Sequence, residues 1–128
     1  MLQRQDLAYP ELSYDIIGAN FRIFNKIGWG HRELYYQRAL ARELELLGLS
    51  FKRETVILLR YENKIIGRYV PDFIVEDKVI LELKVVSKLG YTHIHQVLPY
   101  LKETNLKLAI LIYFTKDGVK YRRVINAN

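Results

Sequence analysis

The sequence has no cysteine, one tryptophan and three prolines among its 128 residues. Without cysteine the chain forms no disulfide, and it offers no thiolate ligand to zinc or to an iron–sulfur cluster. No stretch approaches the ~20 apolar residues of a membrane-spanning helix, and residues 1–6 lack the apolar core of a signal peptide. We therefore expect a cytoplasmic protein that does not act at a membrane.

The remaining composition is that of a basic globular domain. Half of the residues are apolar, and the length suits one domain, which we place at residues 13–128 behind an N-terminal arm at 1–12. The formal net charge of +6 favours polyanionic partners such as nucleic acid. The alternative is that this charge serves only solubility.

The hydrophobic pattern predicts an α/β fold. Apolar residues recur at helical spacing after Ser13, taken as a helix cap, and again from about His31 to Leu47. A third helix is predicted at 91–104, in which Pro99 indicates a kink or a late start. Strands are predicted at 55–61, 64–70 with an extended continuation to 75, 79–86, 106–114 and 119–125. The order α-α-β-β-β-α-β-β suits a mixed sheet of about five strands flanked by helices.

The stretch from Pro71 to Lys84 has the most informative pattern. If its turn is centred on Asp77, then Asp72 and Glu82 oppose each other on adjacent antiparallel strands, ~5 Å apart on one face. Period-two alternation places Lys84 on that face beside Glu82. Two carboxylates and a lysine are thus predicted to converge on an otherwise apolar sheet.

This combination suits a divalent cation that prefers oxygen ligands, Mg²⁺ or Mn²⁺. The predicted ligands are Asp72, Glu82 and the backbone carbonyl of Leu83. The cation would acidify a water and neutralise charge on a phosphate, while Lys84 orients that water or stabilises the developing anion. The alternative is a structural ion pair between one of the acids and Lys84, because a single D…ExK match is common by chance.

Glu33 is predicted to face the same site from the second helix. It lies on the helical stripe of Leu40 and Leu44, and a carboxylate on a buried stripe needs a partner. A metal site beneath the helix would provide one. The alternative is a capping box, in which Gly30 is the N-cap and Glu33 is the third helical residue.

Gln96 and Tyr100 lie one turn apart on the third predicted helix. They could hold a metal-bound water or a phosphate, although by spacing alone a solvated helix flank is the better explanation. His93 and His95 are two residues apart and point to different sides of a helix, so we do not expect a zinc pair. We interpret both histidines as surface residues or incidental phosphate contacts.

Basic residues cluster in two predicted hairpins, with tyrosines between them. Such clusters form either a surface that follows a phosphate backbone or the solvated face of antiparallel strands. The basic residues are Lys52, Arg53, Arg60, Lys64 and Arg68 in the first region and Lys116, Lys120, Arg122 and Arg123 in the last.

The order of these motifs resembles that of the GxxExxY proteins, a branch of the PD-(D/E)XK nuclease-like superfamily. The resemblance spans about residues 13–125. The matching segments are Gly30–Tyr36 (GHRELYY) for the family pattern, Pro71-Asp72 with Glu82-Leu83-Lys84 for the superfamily signature, and Gln96–Tyr100 (QVLPY) for the QxxxY element of RecB-like members.

The resemblance implies a restriction-endonuclease-like sheet with flanking helices and divalent-metal hydrolysis of phosphodiester bonds, usually of DNA. It implies a site in which Asp72, Glu82 and Glu33 hold the metal. The residues it implies for catalysis are Lys84 and Glu33, with Gln96 and Tyr100 supporting.

The chain departs from the family pattern at three positions. Phe24 stands where members often have a histidine, Trp29 stands where proline is common, and Pro99 lies within the QxxxY helix. These departures concern ancillary phosphate or metal contacts and leave the four core positions intact. The absence of cysteine also excludes the iron–sulfur clasp of some RecB-like nucleases.

We therefore expect a Mg²⁺- or Mn²⁺-dependent nuclease that acts on nucleic acid, with DNA as the expected substrate. One alternative is a non-catalytic nucleic-acid-binding or regulatory module on the same fold. Another is an oligomerising domain whose apolar strand edges pair with a partner. Because a chain this small rarely encloses a duplex alone, we also expect a homodimer or a partner protein.

Overall fold

The structure, a computed structural model, describes residues 8–87 and 92–126. Three helices and seven strands lie in these ranges. The helices are α1 (Pro10–Ile27), α2 (Glu33–Leu46) and α3 (Thr92–Thr104). The strands are β1 (Phe51–Lys52), β2 (Ile57–Tyr61), β3 (Lys64–Tyr69), β4 (Phe73–Val75), β5 (Val79–Val85), β6 (Leu108–Thr115) and β7 (Gly118–Ile125).

Five strands form one mixed sheet in the order β1-β4-β5-β6-β7, and β2 and β3 form a separate hairpin. Strands β5 and β6 are parallel, and the other neighbouring pairs are antiparallel. The predicted five-stranded mixed sheet with flanking helices is therefore confirmed.

The predicted order of elements is wrong between α2 and α3, where five strands lie instead of three. Strand β1 has only two residues, too few to show a hydrophobic period. The predicted continuation from 64–70 to residue 75 is broken before β4, because Pro71 has no N–H group to donate to a strand ladder. The hairpin β2–β3 thus separates from the sheet that β4 enters.

Apolar side chains fill one layer on each face of the sheet. The layer beneath α1 and α2 includes the buried residues Ile16, Tyr36, Leu40, Phe73 and Leu83. The layer beneath α3 and the β2–β3 hairpin includes the buried residues Ile57, Ile80, Val97, Leu101 and Tyr113. Strand β6 is buried along its whole length, as the continuous apolar run predicts.

The first helix begins at Pro10, three residues before the predicted cap. Proline is favoured at the first helical position because its missing N–H has no partner there in any helix. Ser13 is buried inside the helix and is not its cap. Residues 10–12 are therefore helical, although we predicted them as part of the arm, and residues 1–7 lie outside the described range.

Pro99 lies inside α3, which runs from Thr92 to Thr104 without a late start. Because proline has no N–H, Pro99 donates no hydrogen bond to the carbonyl of His95, four residues before it. None of the helices in the described ranges is long and apolar enough to cross a membrane.

The inward face of α2 yields a stability prediction. Leu44 is fully buried, so Leu44→Ala should lower the free energy of unfolding by about 2–5 kcal/mol through lost contacts and a cavity. Leu46 lies on the same helix and is 64% exposed, so Leu46→Ala should change it by less than about 0.5 kcal/mol. Urea unfolding of both variants tests this, and equal losses would contradict the described orientation of α2.

Candidate active site

The β4–β5 hairpin brings Asp72 and Glu82 together. Its register pairs Phe73 with Leu81 and Val75 with Val79, so the hairpin is centred on Asp77 as predicted. Continuing this register by one residue places Asp72 opposite Glu82. The backbone N–H of Asp72 donates to Oε1 of Glu82 at 2.8 Å, which fixes the two residues side by side.

Strand β5 extends beyond the end of β4, and side chains bind its open edge. The backbone N–H of Leu83 donates to Oδ2 of Asp72 at 2.8 Å, and that of Val85 donates to Oε1 of Glu33 at 3.3 Å. Both N–H groups point to the side of β5 that faces β4, at positions where β4 is no longer paired with it. Alternate residues of a strand direct their backbone groups to the same side. The Leu83 carbonyl therefore faces this edge as well.

Glu33 binds strand β5 and does not close a capping box. Helix α2 begins at Glu33 itself, with Arg32 as its N-cap and without a side-chain cap hydrogen bond. The capping alternative needed Glu33 as the third helical residue, and it is therefore wrong. Glu33 contributes instead to the electrostatic environment of Asp72, so α2 brings a third carboxylate to the site.

Lys84 lies beside Glu82 on β5. Its Nζ is 3.8 Å from Oε2 of Glu82, and its side chain is about one-third exposed. The two residues share one face of the strand, as predicted from alternation. This distance is long for a tight ion pair, and the ammonium group of Lys84 remains partly accessible to solvent.

The acids are held in an environment that disfavours their charge. Burial raises the pKa of Glu82 to about 7, and the negative charge of Asp72 adds to this effect. Burial also raises the pKa of Asp72, against the opposing hydrogen bond from Leu83. Lys84 lowers both pKa values only partly, so the site keeps an excess of negative charge.

Tyr69 also lies beside the acids, although the sequence pattern did not point to it. Its hydroxyl donates a hydrogen bond to the Glu82 carboxylate, and burial together with Glu82 raises the pKa of Tyr69. Tyr69 therefore stays protonated and donates a hydrogen bond to Glu82. The sequence placed it only among the tyrosines of a basic hairpin, since nothing in the pattern shows that the Tyr69 side chain reaches Glu82.

Helix α3 brings Gln96 and Tyr100 to the same region. Gln96 lines a narrow space together with Tyr69, Glu82 and Lys84. Tyr100 stacks on Tyr69, with ring centroids 4.5 Å apart and planes 25° apart. The predicted polar flank of α3, formed by Gln96 and Tyr100, thus faces solvent and also lies next to the acids.

The remaining predicted contacts are placed less closely. His95 is exposed on α3, and the side chain of His93 lies outside the described part of the chain. The two basic regions are not neighbouring strands, because β2–β3 forms its own sheet and β7 is the far edge of the main one. Phe24 stacks on Phe114 in the core, 6.4 Å between centroids, so it makes no polar contact.

A complete ligand cluster is absent from residues 8–87 and 92–126, where no three Asp, Glu or His side chains are grouped to hold a metal ion. Asp72, Glu82 and Glu33 each accept a hydrogen bond from a backbone N–H through one oxygen. The donor set nevertheless fits Mg²⁺, which keeps several waters and takes only one or two protein carboxylates. Asp72, Glu82 and the Leu83 carbonyl are oxygen donors of that kind.

Comparison with known proteins identifies the family. The sequence model of the PD-(D/E)XK nuclease superfamily matches residues 10–124, which is most of the chain. The chain belongs to this superfamily. No curated protein sequence matches this PD-(D/E)XK protein.

A solved structure shows the same fold. This PD-(D/E)XK protein is similar to the crystal structure of SSO0001, with a TM-score of 0.55 and 18% sequence identity. The match covers 96% of this chain and 61% of that one, so the chain spans less than two thirds of that protein's length. At this identity the likeness shows the restriction-endonuclease-like fold alone.

The raised pKa of Glu82 predicts how stability depends on pH. Because the folded-state pKa of about 7 lies above the ordinary value of 4.5, the native state binds the proton more tightly. Its contribution to stability is complete below pH 4.5 and is lost as pH rises through 7. Glu82→Gln should remove up to about 3 kcal/mol of this loss, and unfolding by urea in chelator at pH 5 and 8 measures it.

Glu76 supplies a control of opposite sign. Hydrogen bonds from the Ser50 side chain and backbone N–H lower the pKa of Glu76, so its contribution is present at high pH and is lost as pH falls. Glu76→Gln should therefore destabilise the protein at pH 8, where Glu82→Gln stabilises it. A Glu82→Gln variant with the pH dependence of the wild type would refute the buried-charge account.

Proposed function

We propose that this protein hydrolyses phosphodiester bonds of nucleic acid, DNA in the first place, with Mg²⁺ or Mn²⁺ held by Asp72 and Glu82. The observation that supports this most is the convergence of Asp72, Glu82 and Lys84 where β5 extends past β4. Glu33 adds a third carboxylate from α2. Burial and, to a lesser extent, charge repulsion raise the pKa values of the acids, and a divalent cation would offset both effects.

The chain's own groups have distinct roles in this proposal. A bound cation supplies charge neutralisation and lowers the pKa of a water. Asp72, Glu82 and the Leu83 carbonyl would hold it, and Glu33 would serve as a further oxygen donor or as a base. Lys84 places a positive charge next to Glu82, where it can orient the attacking water and stabilise negative charge that develops on the phosphate.

Residues of the hairpin and of α3 support these groups. Tyr69 donates to Glu82 and so fixes the orientation of that carboxylate. Gln96 presents an amide, which both donates and accepts hydrogen bonds, beside Glu82 and Lys84. Tyr100 holds the ring of Tyr69 by stacking. Gln96 is thus suited to contact the water or the phosphate, and Tyr100 is suited to keep Tyr69 in place.

We also propose that the chain belongs to the GxxExxY branch of the superfamily. In the segment that matches its pattern, Glu33 reaches strand β5. Tyr36 is fully buried, and its hydroxyl donates to the carbonyl of Gly28 at 2.6 Å. The glutamate and a tyrosine of the pattern therefore have separate physical tasks, one at the site and one at the turn that leads into α2.

A non-catalytic nucleic-acid-binding module is the second candidate. It is favoured by the same hydrogen bonds, because Asp72, Glu82 and Glu33 each satisfy a backbone N–H and would be retained for that reason alone. The two candidates differ in whether a divalent cation binds. They also differ in whether Lys84 affects a rate or only stability.

Substitution of the three central residues separates these candidates. Asp72→Ala and Glu82→Ala should weaken Mn²⁺ binding, since each removes oxygen ligands, and excess Mn²⁺ should partly restore cleavage. Lys84→Ala should leave Mn²⁺ binding nearly intact and lower the cleavage rate by about 10²–10³-fold. Calorimetric titration of Mn²⁺ and cleavage of linear, circular and single-stranded DNA measure the two effects.

Glu103→Ala is the matched control, because Glu103 is an exposed carboxylate on α3. It should leave both Mn²⁺ binding and cleavage unchanged. Loss of thermal stability in all three variants without any metal dependence would instead support a structural ion pair. Wild-type protein that neither binds Mn²⁺ nor cuts any nucleic acid would support the binding module.

Tyr69→Phe tests the role of the hydroxyl. Its hydrogen bond lowers the pKa of Glu82, so its removal should raise that pKa further. Protons would then compete with Mn²⁺ up to a higher pH, and the pH at which Mn²⁺ binding is half-maximal should increase. Tyr61→Phe, at an exposed position on the same hairpin, should not move it. An unchanged pH profile in Tyr69→Phe would exclude this role.

A further inference from the structure

A cleft of about 350 Å³ lies between α3 and the β2–β3 hairpin, beside the acids. Tyr69 and Gln96 line this cleft and also the narrow space that holds Glu82 and Lys84. The two spaces are therefore neighbours that share these side chains. A polymeric substrate whose reacting group lies at the acids would place its next monomer in the cleft.

The two walls of the cleft carry groups that bind phosphate. Arg68 of β3 and His95 of α3 both line the cleft, and both are exposed. In the part of the chain that the structure describes, Arg68 makes no hydrogen bond or ion pair, so its guanidinium group can bind an anion. Arginine binds phosphate oxygens through two parallel hydrogen bonds, and the imidazole of His95 can donate a further one.

The floor of the cleft is aromatic and apolar. It is formed by the stacked rings of Tyr69 and Tyr100, with Leu59 and Pro99 beside them. Gly67 of β3 lies against this floor, since a Cβ added there would lie 3.6 Å from the Tyr100 hydroxyl. Aromatic side chains beside a cationic groove are the surfaces on which single-stranded nucleic acids stack their bases.

We propose that this cleft binds the nucleotide next to the reacting phosphodiester of a single-stranded nucleic acid. Arg68 and His95 bind its phosphate, and the base lies against Tyr100 and Pro99. The inference rests on the proposed nuclease function, because that function places the reacting phosphate at Glu82 and Lys84. The chemistry is shared by DNA and RNA.

The size of the cleft selects a single strand. Pockets for small ligands have volumes of about 300–1,000 Å³, and this one lies near the lower limit. It accommodates one nucleotide, whereas a base in a duplex would first have to leave its stack to enter. An end, a gap or a flap would therefore be bound in preference to an intact duplex.

Binding measured without hydrolysis tests the cleft. In chelator, fluorescence anisotropy would report the affinity for a labelled single-stranded DNA, for RNA of the same sequence and for the DNA duplex. Arg68→Ala should weaken single-strand binding about tenfold and reduce the slope of log affinity against log salt by about 0.7, the loss of one phosphate contact. His95→Ala should weaken it less.

Arg38→Ala is the matched control, because Arg38 is an exposed arginine on α2, which packs on the opposite face of the sheet. It removes the same charge and should change the affinity less than twofold. The tighter of the DNA and RNA arms identifies the strand that the cleft prefers.

Three results would overturn the proposal: equal losses in Arg68→Ala and Arg38→Ala, a duplex bound as tightly as the single strand, or no binding by the wild type. Cleavage assays with Mn²⁺ keep the two proposals apart. If the wild type binds through Arg68 but never cleaves, the nuclease proposal fails and the cleft stands. If it cleaves but Arg68→Ala has no effect on affinity, the cleft fails alone.

Discussion

The candidate site depends on a mismatch in length between two neighbouring strands. Strand β4 covers only Phe73–Val75, whereas β5 continues to Val85, beyond the residues that pair with β4. The backbone N–H groups of Leu83 and Val85 therefore lose their strand partner, and buried N–H groups need another acceptor. Asp72 and Glu33 provide it. These backbone N–H groups thus stabilise carboxylates at the edge of β5 even when no ligand is bound.

This arrangement makes the site electrostatically demanding. Three carboxylates share a half-buried position with Lys84 as their close cation, so burial and mutual repulsion raise the pKa values of Asp72 and Glu82. A proton and a divalent cation compete for the Glu82 carboxylate, because either one neutralises its negative charge. The stability of the cation-free protein and its affinity for a cation should therefore change with pH in opposite directions.

The parts of the site that depend on local periodicity were predictable. The alternation around Asp77 predicts that Asp72 faces Glu82, and the phase of α2 predicts an inward Glu33. Tyr69 and the bound edge of β5 were not predictable, since they depend on where Pro71 ends one strand and on how the hairpin packs against α3. The fold followed the same division, because the long strands were found, while the two-residue β1 and the helix start at Pro10 were not.

The backbone hydrogen bonds of the acids are compatible with a chemical role, because a carboxylate has two oxygens. In Asp72 and Glu33 one oxygen accepts a backbone N–H, which fixes the orientation of the group and leaves the other oxygen for a ligand. In Glu82, Oε1 accepts the Asp72 N–H while Oε2 faces Lys84. The edge of β5 thus holds the acids in place without using up their capacity to bind a cation. Substitution of Asp72 should therefore disturb both the strand edge and cation binding. Substitution of Lys84, which accepts no backbone N–H, should lower the rate and leave the strand edge in place.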